Sequence, residues 1–251
     1  MKHLRSIIPL VALLGLWQAV VWVTGAPPYI LPSPWRVGIA WLARSDVILG
    51  HAIQTCVEIL LGLLLGTSLG MLSSLVMAYC QPARRWLMPV LVVSQAIPVF
   101  ALAPMLVLWF GYGIGSKVAM ATLIIYFPVT TAFLDGLRRT EPGWIDLAQT
   151  MNASRWAVLR HIRIPAALPA LASGLRVATA VAPIGAVVGE WVGSSAGLGY
   201  LMLHANARMQ IDLMFASLAT LAALSITLYF TVDKLLRRAL PWVADSTPTE
   251  D

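Results

Sequence analysis

Residues 141–165 read EPGWIDLAQTMNASRWAVLRHIRIP, and this polar stretch decides how the rest of the chain is interpreted. Long apolar runs, which indicate membrane helices, lie on both sides of it. A connection of about 2–8 residues normally suffices between packed helices. A connection of this length, with a helical pattern of its own, suggests that something outside the membrane docks on it.

The stretch predicts two short helices. Pro142 suits the first position of a helix, and the apolar residues that follow it keep helical spacing. Asn152 tolerates the left-handed conformation that ends many helices, and Ser154 can cap the next helix. Pro165 is expected to end the pattern. From the pattern alone, a solvated amphipathic linker lying on the lipid surface is the alternative interpretation.

The same stretch resembles the cytoplasmic EAA loop of ABC importer permeases, whose pattern is roughly E-A-A, three residues, G, nine residues, I-x-L-P. In this sequence the pattern reads DLA at 146–148, then Asn152, then IRIP at 162–165, with the spacing kept. Leu147 and Asn152 are the larger departures. In the family this loop supplies a coupling helix that sits in a cleft of a separate ATPase subunit. The resemblance therefore implies ATPase-coupling roles for Asp146, Ala148, Asn152, Ala153, Ser154, Arg155, Ile162 and Pro165.

Composition excludes a water-soluble globular domain. The 251 residues are 59% hydrophobic and only 11% charged, whereas soluble domains carry about 25% charged residues. The mean hydropathy is +0.80. A net charge of +6 is accounted for by the positive-inside bias of membrane proteins and does not require nucleic acid. Cys56 and Cys80 lie at opposite ends of one predicted helix, about 36 Å apart, so they are not expected to form a disulfide.

The hydropathy pattern predicts an all-α polytopic membrane bundle of about six transmembrane helices. The first run is interpreted as an uncleaved helix rather than a signal peptide, since it is longer than a usual signal core. Prolines within the third run leave backbone carbonyls without a hydrogen-bond donor. Such carbonyls are tolerated only where other protein or a water-filled cavity satisfies them. Gly62, Gly66 and Gly70 form a small-residue stripe that allows close helix packing. The predicted spans are residues 6–24, 53–79, 86–110, 117–135, 168–192 and 214–235.

The chain is predicted to divide into three parts. Residues 1–50 hold the first helix and an external connector, residues 51–240 form a five-helix core that includes the cytoplasmic loop 136–167, and residues 241–251 form a short polar tail. Twelve of the 17 Lys and Arg residues fall on the side of the loop and the chain ends, and four fall on the other side. This bias predicts that both termini and the loop are cytoplasmic, in a bacterial inner membrane.

No catalytic constellation or metal-binding motif is present in the sequence, which favours a transport subunit over a membrane enzyme. A charged side chain inside a span costs about 2.5–3.5 kcal/mol even on the lenient insertion scale, so it is expected to face the bundle interior. Glu58, Arg176 and Glu190 are such groups. Arg176 is expected to snorkel to the interface or to pair with Asp135. The candidates for the solute pathway or its gate are Ser94, Gln95, Glu190 and Trp191.

The resemblance covers nearly the whole chain and implies the type I ABC importer permease fold. In such systems two permease subunits form the pathway, two ATPase subunits hydrolyse ATP, and an external binding protein delivers the solute. This chain lacks ATPase motifs, so it is expected to bind no cofactor and to rely on ATP bound by the partner. The second permease subunit is expected to be an identical copy.

The solute is the least constrained part of the interpretation. Three stretches most resemble permeases for thiamin-precursor pyrimidines such as hydroxymethylpyrimidine, and nitrate, taurine and alkanesulfonate permeases share their general pattern. A stand-alone secondary transporter is the alternative from another class, but it predicts an internal repeat that the two halves do not show. The three stretches are SQAIPVFALAPMLVLWFGYGIGSKV, FPVTTAFLDGLRRT and GAVVGEWVGSSAGLGYLML.

Overall fold

The computed structural model describes the backbone of residues 2–243, with the side chains of residue 8 and residues 11–243. Every regular element within that range is helical, as the sequence predicts. In chain order the helices are α1 (Lys2–Thr24), α2 (Pro34–Ala43), α3 (Ser45–Tyr79), α4 (Gln81–Ala96), α5 (Val99–Phe110), α6 (Ile114–Arg138), α7 (Pro142–Thr150), α8 (Arg155–Val158), a π-helical turn (Leu159–Arg163), α9 (Ile164–Gly193), α10 (Leu198–Ala207) and α11 (Ile211–Ala239).

Within the described range, four helical runs are long and apolar enough to cross a membrane: α3, α6, α11 and the continuous run Arg155–Gly193, which joins α8 to α9. Among the residues whose side chains are described, the apolar run of α1 (Lys2–Thr24) is Val11–Thr24. The described residues thus hold four unbroken candidate spans and one broken pair, α4 and α5, besides this run of α1. The second span is also longer than predicted, because α3 begins at Ser45, directly after Arg44 closes α2.

The prediction of one continuous third span is wrong. Between them, α4 and α5 turn by 104°. Pro98 lies at the break, and Ile97 before it has the extended conformation that a following proline imposes (φ −86°, ψ 121°). Pro98 also lacks the N–H that would continue the helix. The apolar run 81–110 therefore changes direction sharply at Pro98.

The centre of the bundle is α6, which packs against α3 on one side and α9 on the other. The predicted glycine stripe on α3 is confirmed as a packing surface. A Cβ added at Gly62 would lie 2.5 Å from the Cβ of Ala121, and one at Gly66 would lie 2.6 Å from Cγ2 of Ile125. On the other side, a Cβ at Gly185 of α9 would lie 2.7 Å from the Cα of the same Ala121. Small residues thus allow the backbones of α3, α6 and α9 to approach closely around Ala121.

We expect the substitution Gly62→Ala to lower the stability of the detergent-solubilised protein by about 1–3 kcal/mol, because the new methyl group would overlap Ala121 and only a backbone shift could relieve the contact. Gly50→Ala in the same helix is the matched control, since nothing lies within 4 Å of its added Cβ. The control should be neutral or slightly stabilising, because Ala favours helix over Gly. Thermal unfolding in one detergent measures both variants, and equal midpoints would contradict the close packing.

Candidate functional site

The polar stretch 141–165 forms a helix, a tight turn and a second helix at one end of the bundle. The first helix, α7, ends at Thr150. Asn152 has a φ of +57°, the left-handed conformation that the sequence predicts for it. The N–H of Ala153 donates a hydrogen bond to the carbonyl of Ala148 at 2.9 Å. A residue that tolerates positive φ therefore closes the helix and reverses the chain.

The second helix begins with a side-chain cap. The Oγ of Ser154 accepts a hydrogen bond from the N–H of Ala157 at 3.2 Å, as predicted. The expectation that Pro165 ends the helical pattern is wrong, since α9 continues through it. Pro165 lies in the first turn of α9, directly after the π-helical turn, where the hydrogen-bond register changes and its missing N–H is tolerated. The result is an unbroken helical run of 39 residues, Arg155–Gly193.

One apolar stripe of α7 remains largely uncovered. Trp144, Leu147 and Met151 follow helical spacing and are 51%, 63% and 74% exposed. They line one wall of a groove of about 960 Å³, whose other wall comprises the end of α6, the start of α9 and residues Trp242 and Val243. Exposed apolar side chains grouped in this way mark a surface that another molecule covers.

The opposite side of α7 faces a second groove, of about 660 Å³, at the turn between α3 and α4. Arg155 and Arg163 line it, and neither forms an ion pair with a carboxylate among the described residues. The stretch is tied to the bundle beside this groove, where the rings of Tyr79 and Trp156 meet edge to face at 6.1 Å. An apolar groove and a basic groove therefore flank the same short helix.

Of the eight residues with predicted coupling roles, three line the apolar groove and two line the basic groove. Most of them are open to solvent, which leaves their side chains available for contact. Ala148 is buried, Ala153 and Ile162 are half-buried, and Asp146, Asn152, Ser154, Arg155 and Pro165 are exposed.

A third groove, of about 550 Å³, lies between α4, α6 and α9 in the middle of the bundle. Its polar lining comes from Gln95 of α4, Thr131 and Asp135 of α6, and Ser173 of α9, beside the ring of Phe127. Polar side chains inside membrane-spanning helices are tolerated where they meet water or other protein. The bend that follows α4 leaves Gln95 at the rim of this groove.

The other pathway candidates lie elsewhere. The hydroxyl of Ser94 donates to the carbonyl of Leu91 at 2.7 Å, so its own helix satisfies it, and it does not line the groove. Trp191 is half exposed and lines an apolar pocket with residues of α10 and α11. Glu190 is buried. Only Gln95 of the four candidates therefore faces the central groove.

Glu190 belongs to a closed polar cluster between α3, α9 and the start of α10. Its Oε1 accepts a hydrogen bond from Oγ1 of Thr55 at 2.6 Å, and its Oε2 accepts one from the N–H of Gly199. Oγ1 of Thr55 in turn accepts a hydrogen bond from the N–H of Leu198 at 2.8 Å. His51 lies one turn away on α3. Sequence reasoning singles out Glu190 but misses Thr55 and His51, because the pairing spans more than 130 positions.

The pairing predicted for Arg176 is also corrected. Its Nε donates to Oδ1 of Asp233 on α11 at 2.6 Å, whereas Asp135 lines the central groove. The other oxygen of Asp233 accepts a hydrogen bond from Arg237 at 2.9 Å, one helical turn further along. The ion pair therefore fastens α9 to α11.

Comparison with known proteins identifies the class to which this architecture corresponds. Residues 59–244 match the family model described as binding-protein-dependent transport system inner membrane component. The chain is 55% identical to a probable ABC transporter permease protein of Haemophilus influenzae, over 94% of this chain and 97% of that protein. It is 38% identical to the formylaminopyrimidine transport permease protein ThiX of Halalkalibacterium halodurans, over 92% of both chains.

Two further similarities concern the solute and the fold. The chain is 40% identical to the riboflavin transport system permease protein RibX of Chloroflexus aurantiacus, over 94% of this chain and 89% of that protein. A chain of the inward-facing MetNI methionine ABC transporter superposes with a TM-score of 0.67, over 78% of this chain and 97% of that chain, at 17% identity. The structural match supports the fold alone.

We expect Asn152→Gly to preserve the turn after α7 and Asn152→Val to destabilise it by about 1–2 kcal/mol, because a side chain branched at Cβ opposes the positive φ at this position. Amide hydrogen exchange of residues 148–158 measures the effect locally. Exchange should be faster in the Val variant and close to the wild-type rate in the Gly variant. Indistinguishable rates in the two variants would show that the backbone at 152 is not left-handed.

Proposed function

Because the chain belongs to the binding-protein-dependent transport system inner membrane component family, we propose that it forms half of a solute pathway and couples it to a separate ATPase. The chain is an ABC importer permease subunit with the type I importer permease fold, and it is a membrane transport component rather than an enzyme. It is a multi-pass protein of the inner membrane. ATP is assigned to the partner ATPase, and this chain is assigned no cofactor.

The observation that carries the proposal is the uncovered apolar stripe of α7, flanked by arginines without ion-pair partners among the described residues. A partner that covered the stripe would gain about 25 cal/mol for each Å² of apolar surface removed from water. Carboxylates of the same partner would find Arg155 and Arg163 beside it. The ATPase subunit is the partner that suits a surface with both features, and a lipid surface does not account for the exposed Asp146.

The continuous helix that follows the loop gives this docking a mechanical consequence. The run Arg155–Gly193 has 39 residues, which at about 1.5 Å per residue is nearly 60 Å long. Its first turns belong to the docking surface and its middle packs against α6. Closure of the ATPases would displace the start of this helix and tilt the spans packed on it. Alternating access then follows from movement of packed helices around the central groove.

We assign the solute pathway to the groove between α4, α6 and α9, closed by a second copy of the chain. The groove is open along one side, and its polar lining would otherwise face lipid. Two-fold symmetric dimers of identical chains are the commonest assemblies, and a two-fold axis beside the groove would join two halves into one channel. We propose that both termini and the loop 136–167 lie in the cytoplasm with the ATPase, which the distribution of Lys and Arg along the sequence supports.

For the solute we propose a thiamin-precursor pyrimidine. The similarity to a formylaminopyrimidine permease supports this class. Gln95 offers hydrogen-bond donors and acceptors to a heterocycle, and Phe127 offers an aromatic face. Riboflavin is the second candidate, on the similarity to the riboflavin permease. The carboxylate of Asp135 in the groove disfavours the nitrate ion and the sulfonate groups of alkanesulfonates and taurine.

We expect Asp146→Arg to reduce ATP-driven transport at least about ten-fold, which corresponds to about 1.4 kcal/mol of lost coupling, while membrane insertion is unchanged. The reason is that the exposed carboxylate lies in the proposed docking loop, and no hydrogen bond or ion pair joins it to another described residue. Transport and ATP hydrolysis are measured together in proteoliposomes with the partner ATPase and binding protein. Asp46→Arg is the matched control, an exposed aspartate in the first turn of α3 that should transport normally. Wild-type transport by Asp146→Arg would refute the docking role.

We expect Gln95→Leu to lower solute transport about five- to ten-fold while stimulated ATP hydrolysis persists, because it removes one hydrogen bond of about 1–1.5 kcal/mol to the passing solute. Ser94→Ala is the neighbouring control, since that hydroxyl bonds within its own helix. Transport that is lowered equally by both substitutions would contradict the assignment of the groove.

The same proteoliposomes identify the solute class. Uptake of labelled hydroxymethylpyrimidine is measured in competition with unlabelled formylaminopyrimidine, riboflavin and taurine. If only formylaminopyrimidine competes, the result supports a thiamin-precursor pyrimidine as the solute. Competition by riboflavin supports a riboflavin permease, and competition by taurine supports a permease for sulfonates. Uptake that continues without ATP or the ATPase would instead support a stand-alone secondary transporter.

A further inference from the structure

Three ionisable side chains are buried together inside the bundle, at the end opposite the docking surface. Glu58 of α3 is 0% exposed, Lys117 of α6 is 3% exposed, and Glu190 of α9 is 1% exposed. Charged groups at such positions are costly and persist when they pair with one another or with backbone groups. Neither the docking surface nor the central groove uses any of the three.

Hydrogen bonds define the state of Glu190. Both of its oxygens are occupied by donors, Oε1 by the hydroxyl of Thr55 and Oε2 by the N–H of Gly199. An ionised carboxylate is an acceptor only, so this arrangement suits a charged Glu190. A proton on Oε2 would face the N–H donor of Gly199, and a proton on Oε1 would require the Thr55 hydroxyl to donate instead to the carbonyl of His51 at 3.3 Å, a longer bond than the 2.6 Å bond to Glu190. Glu190 is therefore the anionic member of the cluster.

Glu58 is in the opposite situation. Its Oε1 accepts a hydrogen bond from Nε2 of Gln54 at 2.9 Å, but its Oε2 is buried and has no donor among the described residues. Glu58 lies one helical turn from Thr55, the residue that donates to Glu190, so the two carboxyl groups are neighbours in this cluster. Two carboxylates cannot bond to each other without a proton. A proton on Oε2 of Glu58, donated to Glu190, satisfies both groups.

Lys117 completes the charge balance of the cluster. Its ammonium donates to the carbonyls of Tyr112 (2.5 Å) and Gly113 (2.8 Å), and it is near enough to both glutamates to interact electrostatically with them. One ammonium, one carboxylate and one neutral carboxylic acid sum to zero charge. Such a neutral group is the arrangement that a low-dielectric interior favours.

We propose that Glu190 is a positioning residue that latches residues 197–199 and α10 onto the far end of α9, with the proton on Glu58 completing the latch. Glu190 accepts a hydrogen bond from the N–H of Gly199, and Thr55 links it to the N–H of Leu198. Nδ1 of His51 accepts a further hydrogen bond from the N–H of Gly197 at 2.9 Å. Neither glycine position has room for a side chain, since a Cβ at Gly197 would lie 2.2 Å from Cδ of Glu190 and one at Gly199 would lie 2.7 Å from its Oε2. Gly197 also has a φ of +109°.

The position of the latch gives it a role in transport, which rests on the proposed function. Glu190 lies near the end of the same 39-residue run that begins on the docking surface. Displacement of that run by the ATPase would therefore carry α10 with it, because the latch fixes α10 to α9 and to α3. Without the latch, α9 would move and the outer segment would not follow. Transport would fail while ATP hydrolysis continued.

The test compares two isosteric substitutions in the reconstituted transporter. Glu190→Gln directs an NH₂ group at a donor, so we expect amide exchange of residues 197–200 to rise at least ten-fold and transport to fall at least ten-fold, with ATP hydrolysis retained. Glu58→Gln mimics the neutral acid, so exchange and transport should stay within about two-fold of wild type. Transport and exchange at wild-type levels in Glu190→Gln would overturn the latch.

Two further measurements keep the proposal testable if Glu190→Gln does not fold. Thr55→Val removes the hydroxyl that bridges Glu190 and Leu198 and should reproduce the loss of transport, and Thr55→Ser should restore it. The infrared carbonyl band of a protonated carboxylic acid should be absent from Glu58→Gln. It should therefore appear as a negative band in the spectrum of the variant minus that of the wild type. An unchanged band, or a transport loss in Glu58→Gln as large as in Glu190→Gln, would overturn the proton assignment. Absence of ATP-driven transport in the wild type would refute the proposed function instead, and exchange and the infrared band would still report on the latch.

Discussion

The close contact of α6 with α3 and α9 is the constraint on which the rest of the structure depends. Lipid tails are as apolar as leucine side chains, so burial alone gives membrane helices little reason to associate. Close packing does, and it requires backbones to approach where Gly62 and Gly185 meet Ala121 from two sides. Contacts of this kind are short and rigid. They make the three helices one body, and an open groove lies between α4, α6 and α9.

The continuity of α9 with the docking surface depends on a local irregularity. A proline at position 165 would end a regular helix by removing a hydrogen bond and crowding the preceding turn. The π-helical turn Leu159–Arg163 changes the register directly before it, so that the helix continues. The short helices at the surface are thus rigidly joined to the core, instead of hanging from a flexible linker. A movement of the proposed ATPase partner against the docking surface would therefore be transmitted directly to the helix bundle.

Local features of this fold could be predicted from the sequence, and pairings between distant residues could not. The left-handed Asn152, the cap at Ser154 and the packing role of the glycine stripe each follow from the chemistry of one residue type in a short window. The ion pair between Arg176 and Asp233 joins residues 57 positions apart. The bond between Thr55 and Glu190 joins residues 135 positions apart. The helical spacing of apolar residues does not indicate which residues far apart in the sequence will pair.

The two wrong predictions of helix bounds concern prolines, at places where other groups compensate for the effect of the proline on the helix. An apolar run that contains three prolines is predicted to be one span, because hydropathy depends on composition and does not report a change in the direction of the helix axis. Ile97 and Pro98, at the 104° bend between α4 and α5, are exposed in the single chain, so water or a neighbouring protein must satisfy the freed backbone groups. Likewise, a run interrupted by Pro165 reads as two elements. In both cases the exception lies beside a surface assigned a function, as is expected when strained features are retained for use.

The buried polar cluster raises the question of why the chain does not fill that site with apolar residues. Replacing a buried ionic group by packed hydrophobic residues is often neutral or stabilising. A hydrophobic contact, however, is non-directional and tolerates sliding, whereas the donors around Glu190 satisfy it in one geometry only. In a low-dielectric interior an unpaired member of such a network is costly, so the network is either fully formed or broken. An element that must follow a moving helix without slipping benefits from that all-or-none attachment. The cost of burying charge is then the physical basis of the mechanical link.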